Sequence, residues 1–418
     1  MKEWKTYLVE DLFEEIAMGP FGSNIKVDCF QPTGVPVLNG SNLFGYTLNE
    51  DSFNYVSTEK ADSLGRSNAF RGDIVITHRG TLGQIVYIPE NSKYDRYVIS
   101  QSQFRLKLDT TKVLPSFFVY FFHTRLGQHR LLSNASQVGV PAIARPTSTF
   151  KKVEIELPSI SLQQRIVDIL DSIGNKIDLN NRINHNLEAQ AQALYKSWFV
   201  DFEPFRDGKF VESELGMIPE GWRVGQLSEI CEIVGGGTPS KVKTEYYTNN
   251  GIHWLTPKDL SISCKKFTSR GLDDITELGY KSSSAKLMPK GAVLFSSRAP
   301  IGYLTIAKNT ICTNQGFKSA VPGIAGTAFL YYYLKFNTEY INNLASGSTF
   351  KEASGSLMKS LSVVIPPKTV FDKFEDVMAR YFDSQENIEL ENSHHLEVRD
   401  SLLPRLMSGE LKINDLTC

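Results

Sequence analysis

The chain repeats itself at a distance of half its own length. Trp4 opens a stretch that runs through Leu8–Leu12 to Gly19-Pro20-Phe21-Gly22-Ser23, and Trp222 opens one that runs through Leu227–Ile230 to Gly235-Gly236-Gly237-Thr238-Pro239-Ser240. The shift is about 218 positions (222 minus 4) in 418 residues. Val35-Pro36-Val37-Leu38 answers to Ile252-His253-Trp254-Leu255, and the segment Arg71–Gly83 answers to Lys290–Gly302. A chain built this way is expected to do one job at two places. A catalytic centre rarely needs duplicating, whereas a surface that reads a two-part target does.

Each copy has two textures. The first, over 1–157 and 220–367, carries short β-branched and aromatic runs such as Ile74–Thr77, Gln84–Ile88, Val293–Ser296, Tyr303–Ala307 and Leu361–Ile365, punctuated by Gly and Pro, which predicts sheet and turns. The aromatic blocks Phe117–Phe122 and Phe329–Leu334 are too short to cross a membrane and predict core helices. The second texture follows Pro158 and Pro366-Pro367. Ile166, Leu170, Ile173, Ile177, Asn180, Asn184, Leu187, Ala191, Leu194 and Trp198 advance by alternating fours and threes. Phe374, Val377, Tyr381, Ser384, Ile388, Glu391, His395, Val398 and Leu402 do the same, about 211 positions later (388 minus 177). Such heptad seams predict two long helices that pair.

Both seams turn polar in the same heptad, at Asn180 and Asn184 in one and at Glu391 and His395 in the other. Polar residues at core positions cost stability but fix register, and in an antiparallel pair these four would meet near the midpoint. The expected architecture is α+β: two similar sheet-rich domains separated by two long antiparallel, coiled-coil helices of about 60 Å, with pseudo-twofold internal symmetry.

Composition limits the function classes. The formal net charge of −1 gives no overall attraction to nucleic acid. Its distribution is uneven: Lys241, Lys243, Lys258, Lys265, Lys266, Arg270, Lys281, Lys286, Lys290 and Arg298 gather in the second copy, and acids dominate from Asp372 to Asp400. Five scattered cysteines (Cys29, Cys231, Cys264, Cys312, Cys418) without a C-x-x-C pair suggest neither a disulfide framework nor zinc. With no charged leader, no spanning-length apolar run and ordinary hydrophobicity, a soluble, cytoplasmic protein of two to four domains is expected.

Ala193-Leu194-Tyr195-Lys196-Ser197-Trp198-Phe199-Val200-Asp201-Phe202-Glu203-Pro204-Phe205, followed by Leu215–Trp222, resembles the central region of the specificity (S) subunit of type I restriction-modification enzymes. Arg399–Leu411 resembles that family's distal helical region, and the likeness covers the whole chain in order, length and duplication. It implies target recognition domains at 1–157 and 220–367, each reading half of an interrupted DNA sequence. It also implies a central helical spacer at 158–205, a linker at 206–219 and a distal helical spacer at 368–418. The helices would set the gap and dock the methyltransferase (M) subunits, with restriction (R) subunits joining through the complex. Catalysis would lie outside this chain, so S-adenosylmethionine, ATP and Mg2+ are expected on the partner subunits.

The residues themselves offer no strong catalytic motif. Adenine methylation needs an N/D-P-P-Y/F/W loop, and Ile365-Pro366-Pro367-Lys368 lacks both flanks. The nuclease-like E/D-x-K tripeptides at Glu3-Trp4-Lys5, Asp207-Gly208-Lys209 and Glu410-Leu411-Lys412 sit at the chain ends or in the linker. The Gly235–Lys241 run departs from a P-loop because Ser240 stands where its second glycine belongs. The histidines show no metal spacing. A self-contained methyltransferase or nuclease with duplicated recognition domains, and a silent specificity cassette of another DNA-targeting system, stand as alternatives.

Candidate DNA contacts are loop-like positions that recur in both copies. His78, Arg79 and Thr81 answer to Ser297 and Arg298, and Gln101 answers to Gln315. Matching residues suit phosphate contacts or structural turns, because base readers must differ where half-sites differ. Asn39, Ser41 and Asn42 against Thr256, Lys258 and Asp259 are equivalent places of unlike chemistry, as readers of different half-sites would be.

Overall fold

The computed structural model describes residues 4–136, 139–263, 265–347 and 351–413. Glu3, Cys264 and Cys418 lie outside the described residues. The chain divides into two compact units: unit 1 is Met1–Ile177 with His394–Cys418, and unit 2 is Asp178–Ser393.

Unit 1 is built on a four-stranded antiparallel sheet of β1 (Phe13–Met18), β2 (Ile74–Thr77), β3 (Ile85–Tyr87) and β4 (Gln103–Leu108), in the order β1-β4-β2-β3. Every residue of β2 is buried, as its unbroken Ile-Val-Ile run requires of a strand covered on both faces. One covering element is α1 (Pro115–His123), which starts at a proline in the first turn, where no helical N–H is lost. Its six residues Phe117–Phe122 are all buried. A second sheet pairs Val35–Val37 in parallel with Arg96–Val98, and an antiparallel ribbon joins Lys5–Leu8 to Glu154–Leu157. That ribbon hands the chain to α2 (Ile160–Phe199).

Unit 2 repeats this plan with β5 (Cys231–Gly235), β6 (Val293–Ser297), β7 (Ile301–Ala307) and β8 (Lys318–Pro322), in the order β5-β8-β6-β7. Phe267–Thr268 adds a fifth strand, parallel to β7. The buried aromatic helix is α3 (Thr327–Phe336). The parallel pair recurs as Ile252–Leu255 with Cys312–Thr313, and the ribbon as Arg223–Gln226 with Ser362–Ile365, which leads into α4 (Lys368–Met407). The stretch between α2 and this unit's first strand is itself folded: Phe210–Ser213 and Gly216–Pro219 form a hairpin, and Phe202 and Phe205 pack edge-on against Trp222.

The two long helices run antiparallel. In unit 1, Ile166, Val167 and Leu170 of α2 share a core with Leu403, Leu406 and Met407 of α4. In unit 2, Ala191, Tyr195 and Phe199 share one with Phe371, Phe374 and Met378. The buried stripe of α4 departs from the heptad expected of it. Val377 and Ser384 are exposed, while Phe371, Met378 and Gln385 are buried. Because α4 packs on α3 and the sheet domain as well as on α2, its apolar face is wider than a two-helix seam and turned by about one residue.

Each unit fixes its sheet domain to the helices through an equivalent tyrosine. In unit 1 the Tyr120 hydroxyl donates to Asp171 Oδ1 at 2.6 Å, and Arg399 lies 5.1 Å over the Tyr46 ring, which itself packs on Tyr120. In unit 2 the Tyr332 hydroxyl donates to Glu188 Oε2 at 2.9 Å. The same carboxylate receives the buried Lys266 ammonium at 2.8 Å on Oε2 and that of Lys335 on Oε1. Lys266 also donates to Gln385 Oε1 at 2.7 Å and sits 4.1 Å over the Phe382 ring. Burial pushes the Lys266 pKa down to about 8, against the pull of Glu188. Burial also opposes the Glu188 charge, but the two lysines outweigh it and hold its pKa down to about 2.

Candidate nucleic-acid interface

The polar loops of each unit gather at one end of its sheet because glycine lets them touch. The space a Cβ would take on Gly19 is filled by the Ser100 carbonyl oxygen at 1.9 Å, and on Gly236 by the Asn314 carbonyl oxygen at 1.9 Å. In both copies the glycine loop is thereby pressed against the loop that carries the candidate glutamine, Gln101 or Gln315. The turn after the central strand also repeats in backbone: Gly80 and Ala299, 219 positions apart (299 minus 80), have φ of 88° and 58°.

In unit 1 this end is a chain of contacts. His78 Nε2 lies 3.2 Å from the Gln101 carbonyl oxygen, and burial lowers the pKa of the ring. Thr77 Oγ1 donates to Gln84 Oε1, and Gln84 Nε2 donates to the Gly40 carbonyl, tying in the turn that holds Asn39, Ser41 and Asn42. Ser41, Arg79, Thr81 and Gln101 are exposed. Arg79 forms no ion pair among the described residues. Asn39 accepts from Ser41 N and Oγ, and Asn42 is buried with its amide donating to the Asn49 and Ser52 carbonyls. Asn42 therefore shapes the loop while Ser41 faces outward.

Unit 2 forms a concave cleft of about 590 Å³ that brings Thr256, Lys258, Arg298 and Gln315 together with Lys241, Asp273 and Asn314. Lys258 and Gln315 are exposed, and the Thr238 hydroxyl donates to Gln315 Oε1. Thr256 and Asp259 are bound to each other, with Oγ1 donating to Oδ2 at 2.8 Å. Ser297 is fully buried and donates to the Gly316 carbonyl at 3.1 Å, so it braces the cleft floor. Arg298 Nη1 pairs with Glu352 Oε2 at 3.2 Å, and Lys318 holds the other oxygen of that carboxylate at 3.1 Å. Asn314 belongs to the polar stretch Thr313-Asn314-Gln315 that the sequence offers, whereas Lys241 was not singled out as a contact. Its signal was available in the basic glycine loop.

The polar midpoint of the helices is joined. Asn180, 1% exposed, donates to Glu391 Oε2 at 2.8 Å and Asn392 Oδ1 at 2.9 Å, and Asn392 donates to Asn181 Oδ1 at 2.9 Å. Asn392 has no place in the heptad reading, since it lies one residue off the seam. Asn184 lines a small hollow with Glu188, Lys266 and Glu389, and the His395 ring is half-buried in unit 1. No group of three or more His, Cys, Asp or Glu side chains among the described residues is placed to hold a metal ion, and no described helix is long and apolar enough to cross a membrane.

Residues 1–189 and 219–398 each match the family described as the type I restriction modification DNA specificity domain. The type I restriction enzyme HindI specificity subunit of Haemophilus influenzae is 26% identical over 98% of this chain and 100% of its own length. The MjaIX specificity subunit of Methanocaldococcus jannaschii is 40% identical over 44% of this chain, an alignment that spans 43% of that relative. Among solved structures, the S subunit of a type I restriction-modification system from M. genitalium superposes with a TM-score of 0.58 at 17% identity, over 96% of each chain.

Proposed function

Since the chain belongs to the family of type I restriction modification DNA specificity domains, we propose that it is the DNA-reading subunit of a type I restriction-modification complex. Each sheet domain reads one half of a bipartite target, and the chain itself does no chemistry. The observation that carries this reading is the repeated loop end: the same glycine contact sets the loops of Gln101 and Gln315, and the equivalent positions of Ser41 in unit 1 and Lys258 in unit 2 are exposed. A repeated frame with unlike side chains at one position, Ser41 against Lys258, is what two half-sites of different sequence demand.

The domains are taken as 1–157 and 220–367, with helical spacers at 158–205 and 368–418 and a connecting segment at 206–219. Two helices of 40 residues each act as the ruler between the half-sites and carry the docking surface for the M subunits, with R subunits completing the assembly in the cytoplasm. Arg79 and Arg298 serve phosphate, and Asn180 with Glu391, Asn184 and His395 set helix register. The near-neutral net charge fits a subunit whose basic channel is completed by its partners.

The test is DNA binding by the purified chain with and without M subunits across a salt series. Weak, salt-sensitive binding alone and tight, target-specific binding with M are expected. Nanomolar specific binding by the isolated chain with no gain from M, or methyl transfer without M, would overturn the assignment.

A further inference from the structure

Phe21 is left unexplained by the fold. It is 85% exposed, at the tip of the loop between Gly19 and Asn24, where a large aromatic ring gives up the burial that folding would otherwise use. The backbone beneath it is fixed. The Gly19 N–H donates to the Gln103 carbonyl at 2.8 Å, Pro20 is buried, and the Phe21 carbonyl accepts from the Asn24 N–H at 2.8 Å. The ring is thus presented from a pinned turn, which lowers the entropy lost when it is covered. Its immediate neighbour is a polar candidate: a Cβ on Gly22 would meet Gln101 Oε1 at 2.2 Å.

Resting on the DNA-reading assignment, we propose that Phe21 is a specificity-determining residue of the first unit, packing its ring on the C5-methyl group of a thymine in the major groove. That methyl is the one apolar group a base pair presents there, and the adenine of an A·T pair presents on the same edge the N7 and N6 pair that a glutamine amide matches. Phe21 and Gln101 therefore offer adjacent apolar and amide contacts suited to A·T pairs. The corresponding position in unit 2, two residues past Gly236, is Thr238, whose hydroxyl is engaged by Gln315. The single methyl of Thr238 offers far less apolar surface than the Phe21 ring, so the two readers differ in how strongly they favour a thymine methyl.

The experiment uses the chain assembled with its M subunits, on the target found by mapping methylated adenines. Each thymine of both half-sites is replaced singly by deoxyuridine, which removes the methyl and keeps the base pairing. Wild type, Phe21→Ala and Phe21→Leu are compared. One thymine, in one half-site, should cost wild type about fourfold in affinity on loss of its methyl. That penalty should vanish in Phe21→Ala and partly return in Phe21→Leu, with the salt slope unchanged in all three. Uracil penalties that are the same in wild type and Phe21→Ala, or absent at every position, overturn the proposal while leaving DNA reading intact. Failure of the wild-type assembly to bind its target specifically would overturn the DNA-reading assignment itself.

Discussion

Tyr120 and Tyr332 hold the same place in α1 and α3, 212 positions apart (332 minus 120), yet they grip the long helices with different chemistry. The Tyr120 hydroxyl donates a hydrogen bond to Asp171, farther along the chain in α2, beside an Arg399 stacked on Tyr46. The Tyr332 hydroxyl donates a hydrogen bond to Glu188, which precedes it in α2 and also binds Lys266 and Lys335. Duplication has kept the position of the joint and let its electrostatics diverge. A buried ion network tolerates the loss of one member poorly, whereas a hydroxyl–carboxylate contact can be replaced by a neutral one.

The sharpest way to break that comparison is to remove the acids one at a time. Glu188→Ala leaves the buried Lys266 ammonium without its ion-pair partner, held by Gln385 and Tyr332 alone, and is expected to cost about 3–5 kcal/mol. Asp171→Asn keeps an acceptor for Tyr120 and should cost less than about 1 kcal/mol. Urea unfolding followed by Trp198 and Trp222 for unit 2 and by Trp4 for unit 1 separates the two. Equal losses would mean the joints are energetically alike.

Acid should separate the units in the same sense. The folded pKa of Glu188, about 2, lies below its usual 4.5. The unfolded chain therefore takes up the proton first, and the stabilisation, whole above about pH 4.5, is lost as pH falls toward 2. It amounts to about 3 kcal/mol. Burial raises the pKa of Asp171 against the pull of the Tyr120 hydrogen bond, so there the folded chain protonates first and falling pH relieves the cost of the buried charge. Unit 2 is expected to lose its tryptophan signal before unit 1 during acid titration, and the reverse order would contradict the assigned chemistry.

The smallest predicted effect concerns the paired arginines. Arg79 is exposed, whereas Arg298 is shared with Glu352. Arg79→Ala should weaken binding of the M-containing complex to all sequences alike and lower the salt slope by about one. Arg298→Ala should lower it less, because its charge is already partly met. Relaxed preference at a single base pair in either variant would mark that arginine as a base reader.

Much of the fold was legible because its signals are local. The Ile74–Thr77 and Val293–Ser296 runs, the six-residue aromatic blocks and the prolines ahead of each long helix report their elements directly. The face of α4 was less legible. A heptad count assumes one partner, and Val377 and Ser384 fall outside the core because α4 has several. In the candidate interface, residue type and position in the repeat pointed to Arg298, Lys258 and Gln315, which the cleft unites. The same signals could not distinguish Ser41, facing solvent, from Asn42 one residue on, turned inward to close its own loop.

The sequence by itself determined the duplication, the order of sheet domain and long helix in each half, and the polar interruption shared by the two helices. These depend on spacing and side-chain type, which survive in one dimension. Tertiary structure alone decided which polar side chains are spent within the protein and which face outward. It also decided that one tyrosine joint is a network of a carboxylate with two lysines and its twin a single hydroxyl–carboxylate bond. Those outcomes depend on burial and on partners far away in the chain, such as Glu188 for Lys266 and Glu352 for Arg298, whose distances no local pattern encodes.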